Sequence, residues 1–181
     1  EKARQGGATD AIVISSDQVV FSSSIRERVY ADDGYPSVHW PLVYPKDDIE
    51  EAIRAYQYGL FFKVPTPPKM PGYGGGPIDD IVHRNSYVRL YDLVTMLESA
   101  CFYNGYHLAM GLAAGNCRSV FCSQEKRCWP MLKGKACIHP NRGRPSLEAA
   151  GINAPAMAVQ AGWDFNENSH EVLLAGLVMA A

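Results

Sequence analysis

The sequence predicts an α/β or α+β fold, with a mixed sheet flanked by helices and a long cysteine-rich loop outside it. Three observations carry this. The 181 residues are 47% hydrophobic and 20% charged, enough apolar material for the core of one ordinary domain. Short apolar or β-branched runs alternate with segments of helical periodicity. Four of the five cysteines fall between positions 117 and 137, in polar, basic sequence that fits neither pattern. Residues 1–181 read as a single domain with an N-terminal α/β part (1–64), a Pro/Gly-rich loop (65–85) and a C-terminal part (86–181) that carries those cysteines.

The elements follow in order. Ala11–Ile14 and Val19–Ser22 read as two strands broken by Ser15-Ser16-Asp17. Asp32–Pro45, rich in proline and aromatics, reads as an ordered loop. Pro45-Lys46-Asp47-Asp48 places proline and acids where a helix begins. Ile49, Ala52, Ile53 and Tyr56 form its apolar face, Gly59 ends it, and Leu60–Val64 is a buried strand. Pro65–Pro77 holds five prolines and four glycines, which excludes a packed helix or central strand. Asn85 or Ser86 is expected to cap a helix to Tyr103, with Val88, Leu93, Met96, Leu97 and Ala100 inward and Asn104-Gly105 as its stop. Tyr106–Ala113 is a further strand, turned by Ala114-Gly115-Asn116. Ser146 caps a short helix, Leu147–Ala150; Pro155–Ala161 forms another; Val172–Val178 closes the chain as a strand.

The net charge of −2 excludes a globally basic nucleic-acid binder. The balance is uneven, because Cys117–Arg144 holds seven basic residues and one acid, a local +6 against −8 elsewhere. No run reaches the roughly 18 apolar residues that span a bilayer, and Glu1-Lys2-Ala3-Arg4 does not begin a signal peptide. A cytoplasmic protein without membrane insertion is expected. An odd count of cysteines argues against a secreted disulfide framework.

The spacing C-x4-C-x5-C-x8-C, at Cys117, Cys122, Cys128 and Cys137, offers four thiolates on one loop. Zinc and iron–sulfur are the candidates. Structural zinc sites place ligands in short C-x2-4-C hooks, and only the first gap fits one. The widening gaps suit one loop wrapped round a larger object, a [4Fe–4S] cubane, so the loop reads as cluster-binding. The local cations would offset the negative charge of either site, or dock an acidic redox partner. Cys101 lies on a helix face and reads as a core residue. Arg144 either hydrogen-bonds a cluster sulfur and orients the loop, or pairs with Glu148 four residues on. His139 is two residues past Cys137 and is not needed as a ligand. No catalytic acid–base pair or nucleophile is recognisable, and Gly74-Gly75-Gly76 lacks the Lys-Ser/Thr of a phosphate loop.

The stretch from Cys117 to Cys137, continuing Ile138-His139-Pro140 and Arg142-Gly143-Arg144-Pro145-Ser146-Leu147-Glu148-Ala149-Ala150-Gly151-Ile152, resembles the signature of a domain-of-unknown-function family. That family is described as predicted metal-binding and occurs in anaerobic bacteria and archaea. Gly7–Ala11, Ile25–Val29 and Ala161-Gly162-Trp163 also resemble it, so the likeness covers nearly the whole chain. Its members carry a second cysteine cluster in the N-terminal half. The corresponding segment here, Tyr30–Pro45, contains no cysteine. The resemblance therefore implies one cluster rather than two, with Tyr30–Pro45 as a candidate docking segment for a partner; Pro65–Pro77 is a second candidate on its own account, because ordered loops of that length are uncommon without a function. The combined expectation is a [4Fe–4S] electron-transfer protein, a subunit of a larger anaerobic oxidoreductase complex, rather than a self-sufficient enzyme. The alternative is a zinc-binding structural or assembly module without redox activity.

Overall fold

The structure is a computed structural model, and it describes residues 1–31, 49–67, 80–125, 128–131, 135–164 and 172–181. Along these the elements are α1 (Lys2–Gln5), β1 (Asp10–Ser15), α2 (Ser23–Ala31), α3 (Ile49–Arg54), β2 (Tyr58–Lys63), α4 (Ile81–Tyr103), β3 (Ala109–Ala113), α5 (Cys117–Phe121), α6 (Ala154–Gln160) and β4 (Ala175–Ala180).

The sheet has the order β1-β2-β4-β3. All three pairings are antiparallel, and among the described residues parallel pairing is confined to the isolated bridge between Ala113 and Ser146. The helices flank the sheet as expected, and the class resolves as α+β with an antiparallel rather than mixed sheet. The fully buried β4 occupies the centre beside β2. Its small and branched residues suit a strand covered on both faces.

Alternation along the strands divides the core in two. Phe62, Ala113 and Val178 face one side and pack with Leu90, Tyr91, Val94 and Leu97 of α4. Phe61, Leu112 and Leu177 face the other, with Ile53 of α3, Met157 and Ala158 of α6, and Leu147. Stacking of Trp163 on Phe61, 4.7 Å between ring centroids, closes that second layer. Gly111 lets α4 approach β3, because a Cβ there would collide with Val94 Cγ1 and stand 2.9 Å from Glu98 Cδ.

Several expectations shift. Asp80, not Asn85 or Ser86, caps α4, accepting from the backbone N–H groups of Val82 and His83 at 2.9 Å. The helix therefore starts a turn earlier. Its buried stripe is Tyr87, Leu90, Tyr91, Val94 and Leu97, with Leu93 beside it, while Met96 points outward at 41% exposure. Asn104-Gly105 ends it as expected, with Gly105 at φ +96°. Val19–Ser22 is not a strand. Ser15 and Gln18 close a capping box on a 3₁₀ turn, Phe21 alone bridges to Ile152, and α2 follows.

Gly59 lies inside β2 rather than ending a helix. A Cβ there would stand 3.0 Å from Leu177 Cδ1 and from Met179 Sδ. The strand expected over Tyr106–Ala113 begins only at Ala109, and the last strand is shifted to Ala175–Ala180. Leu147–Ala150 forms turns, although Ser146 Oγ does accept from Ala149 N–H at 3.0 Å as a cap would. Residues 32–45 and 68–77, which make up most of the two docking segments, lie outside the described residues.

Candidate metal centre

The site is built where β3 ends. Gly115 turns the chain at φ +75°. The turn is held from two sides: Tyr91 Oη donates to Gly115 O at 3.0 Å, and Gly115 N–H donates to the Glu148 carboxylate at 3.2 Å. Asn116 then caps α5, its side chain accepting from Arg118 N–H at 2.8 Å. Cys117 is thereby the first residue of α5 and Cys122 follows its last turn. Arg84 of α4 ties down this helix through a 2.9 Å bond from Nε to Val120 O. Cys128 precedes the 3₁₀ turn Trp129–Met131, and Cys137 precedes the turn around Pro140.

These separated positions converge. Cys117, Cys122, Cys128 and Cys137 all line one pocket. Arg118, Phe121, Trp129, His139 and Gly143 complete most of its wall. Cys117 forms the deep side at 4% exposure, and the other three are half-buried. All four are free thiols. Among the described residues, no group of three or more His, Cys, Asp or Glu forms a ready-made site for a metal ion.

Electrostatics explains why Cys117 and Cys122 keep their protons. Burial pushes the Cys117 thiol far up, and the nearby Cys128, Cys137 and Cys122 add to it. Burial likewise raises Cys122 to about 11, reinforced by Cys137 and Cys128 and opposed by Arg118. A second bare thiolate in this pocket would repel the first. A cation reverses that balance, because it attracts each thiolate and displaces each proton.

Three features suit a thiolate-bound metal group. Arg144 N–H donates to the sulfur of Cys117, and His139 N–H donates to that of Cys137 at 3.4 Å. Such donors stabilise charge on a ligating sulfur. A Cβ on Gly143 would stand 3.3 Å from Cys137 Sγ, so only glycine leaves that sulfur unencumbered.

The remaining sequence candidates separate into roles. The guanidinium of Arg144 does not pair with Glu148; it lies 2.6 Å from Glu98 on α4. Its Nη1 also donates to the carbonyls of Gly143 at 2.8 Å and Pro140 at 3.3 Å, so Arg144 orients the loop. Arg142 makes two 2.9 Å bonds to Asp92 and lies 4.5 Å above the Phe121 ring. The His139 ring lies beside the same Phe121 ring, 5.8 Å between centroids. Arg118 reaches the carbonyl of Glu125. Cys101 is remote from the site, partly buried against the α4 core.

The charge reading needs correction here. Asp92 and Glu98 lie outside the basic segment in sequence but pair with its Arg142 and Arg144, so two of its seven cations are compensated locally, while Arg84 of α4 brings one further cation to Val120 O. Sequence reasoning missed Asp92, Thr95 and Glu98. Their spacing of three was legible as one face of α4, but nothing local said what that face meets.

A family described as "Predicted metal-binding protein (DUF2284)" matches residues 13–180. The chain belongs to this family of predicted metal-binding proteins. The match spans both halves of the chain and includes all four pocket cysteines. Metal binding is thus the family's predicted property, and the metal is unspecified. No curated protein matches the chain, and no solved structure does. Among the described residues, no helix is long and apolar enough to cross a membrane.

Proposed function

We propose that this member of the family holds one [4Fe–4S] cluster on Cys117, Cys122, Cys128 and Cys137 and serves as an electron-transfer subunit of a larger anaerobic oxidoreductase complex. The convergence of four sequence-separated thiols on one pocket carries the reading. Backbone N–H groups on two of the sulfurs support it. The widening cysteine gaps, only the first of them short enough for a zinc hook, favour a wider group over zinc. When bound, the cluster would supply one-electron exchange.

The chain's own residues would supply the rest. Cys117 anchors the buried side, and Phe121 lines the pocket wall. Trp129 and Ile138 present apolar surface at the rim, 37% and 45% exposed. With the remaining basic charge they would receive an acidic, partly apolar partner surface in the cytoplasm. Anaerobic purification with iron and acid-labile sulfide analysis tests this. The expected result is about four of each per chain, with an EPR signal on reduction. About one zinc per chain and no iron would replace it with the zinc-module reading.

A further inference from the structure

Helix α4 grips the cysteine-bearing loop at three successive points on one face. Asp92 binds Arg142. Thr95 Oγ1 donates to Asn141 O at 3.0 Å, a proton it shares with Tyr91 O. Glu98 binds Arg144 at 2.6 Å. The contacts differ in burial: the Asp92–Arg142 side chains are 51% and 41% exposed, those of Glu98 and Arg144 only 16% and 10%.

The inner contact has further partners. The second oxygen of Glu98 accepts from Gly111 N–H at 2.6 Å, at the β3 edge that faces away from β4. Glu98 is therefore fixed to the sheet as well as to its helix. Arg144 transmits that fixation in two directions. Its guanidinium holds Pro140 and Gly143, in and just after the turn that follows Cys137, and its backbone N–H meets the Cys117 sulfur.

We infer that Glu98 and Arg144 are a positioning pair that sets the relative placement of Cys117 and Cys137, and thereby the grip of the site on its metal group. The inference rests on the thiolate-bound metal proposed above, but not on which metal it is. Neither side chain ligates; each acts through the backbone around the two cysteines. Groups that orient ligands in this way typically change metal retention by about 10- to 100-fold when altered.

The test uses the full chain purified anaerobically, as wild type, E98Q, E98D and L97A. Release of iron, or of zinc if that is the metal found, is timed with a colorimetric chelator well below each variant's Tm. Release should be about tenfold faster or more in E98Q, with partial recovery in E98D. Leu97 packs in the core one residue away, so L97A should lower Tm yet release metal at the wild-type rate. Should E98Q fail to fold, R144K serves instead, since lysine keeps the charge but loses the guanidinium's bonds to Pro140 and Gly143. Wild-type release rates in E98Q, or equal acceleration in L97A, would overturn the inference and leave the metal reading standing. A wild-type chain that takes up neither iron nor zinc would overturn both.

Discussion

Arg144 Nε lies 2.6 Å from Glu98 Oε2, although the two residues are 46 positions apart. One belongs to the cysteine-bearing loop and the other to the long helix that covers one face of the sheet. Their contact gives the loop a rigid reference.

Removing one partner should be costly, because the other is left charged and largely buried. We expect R144A to lose about 3 kcal/mol of stability. The exposed Asp92–Arg142 pair is screened by water, so D92N should lose about 0–1 kcal/mol. Denaturant titration of both variants checks the ranking. Equal losses would mean that burial does not set the strength of these two contacts.

Cysteine replacement should separate the site from the core. Serine at Cys117, Cys122, Cys128 or Cys137 should each remove most of the bound metal, since all four line the pocket. Serine at Cys101 should leave metal content unchanged, because that residue sits near the C-terminal end of α4 and does not line the pocket. Metal content per chain, measured on folded protein, is the readout.

Gly143→Ala probes the room around one sulfur. The added methyl would press on Cys137 Sγ and His139 O, both 3.3 Å away. Metal content should fall several-fold while Tm changes by only a few degrees. Unaltered metal content would show that the Cys137 sulfur moves freely.

Glu148 should make stability fall with rising pH. Burial raises its pKa above the ordinary glutamate range, against hydrogen bonds that lower it, so the fold favours the neutral acid. That contribution is complete below the unfolded pKa and is lost as pH rises through the raised folded value. E148Q keeps an oxygen for Gly115 N–H but carries no charge. Its Tm advantage over wild type should therefore be larger at pH 8 than at pH 4, by roughly 2–4 °C per kcal/mol. A constant difference across that range would show that Glu148 titrates alike in both states.

Much of the fold was legible because local rules and tertiary demands agree. β1, β2, α4 and α6 were each recognisable from an apolar period together with a turn or breaker signal. The failures arose where tertiary contact overrode a local sign. Gly59 looks like a helix stop but is a strand residue squeezed between Leu177 and Met179. Val19–Ser22 is β-prone, yet its pairing stops at a single bridge, Phe21 to Ile152 with the flanking bonds of Val20 and Ser22, so no strand forms. Ser23–Ala31 lacks a strong apolar stripe, which left α2 unannounced.

The sequence by itself singled out the four candidate ligands. Four cysteines in a polar, basic segment, followed by Arg-Gly-Arg-Pro-Ser, stood out because thiol chemistry and spacing are written locally. Only the tertiary structure decided what holds them. Glu98, Asp92 and Tyr91 belong to a helix whose pattern announces a buried face but not its neighbours. The apparent +6 changed for the same reason. Charge is counted along the chain but felt through space, and the compensating acids arrive from another element.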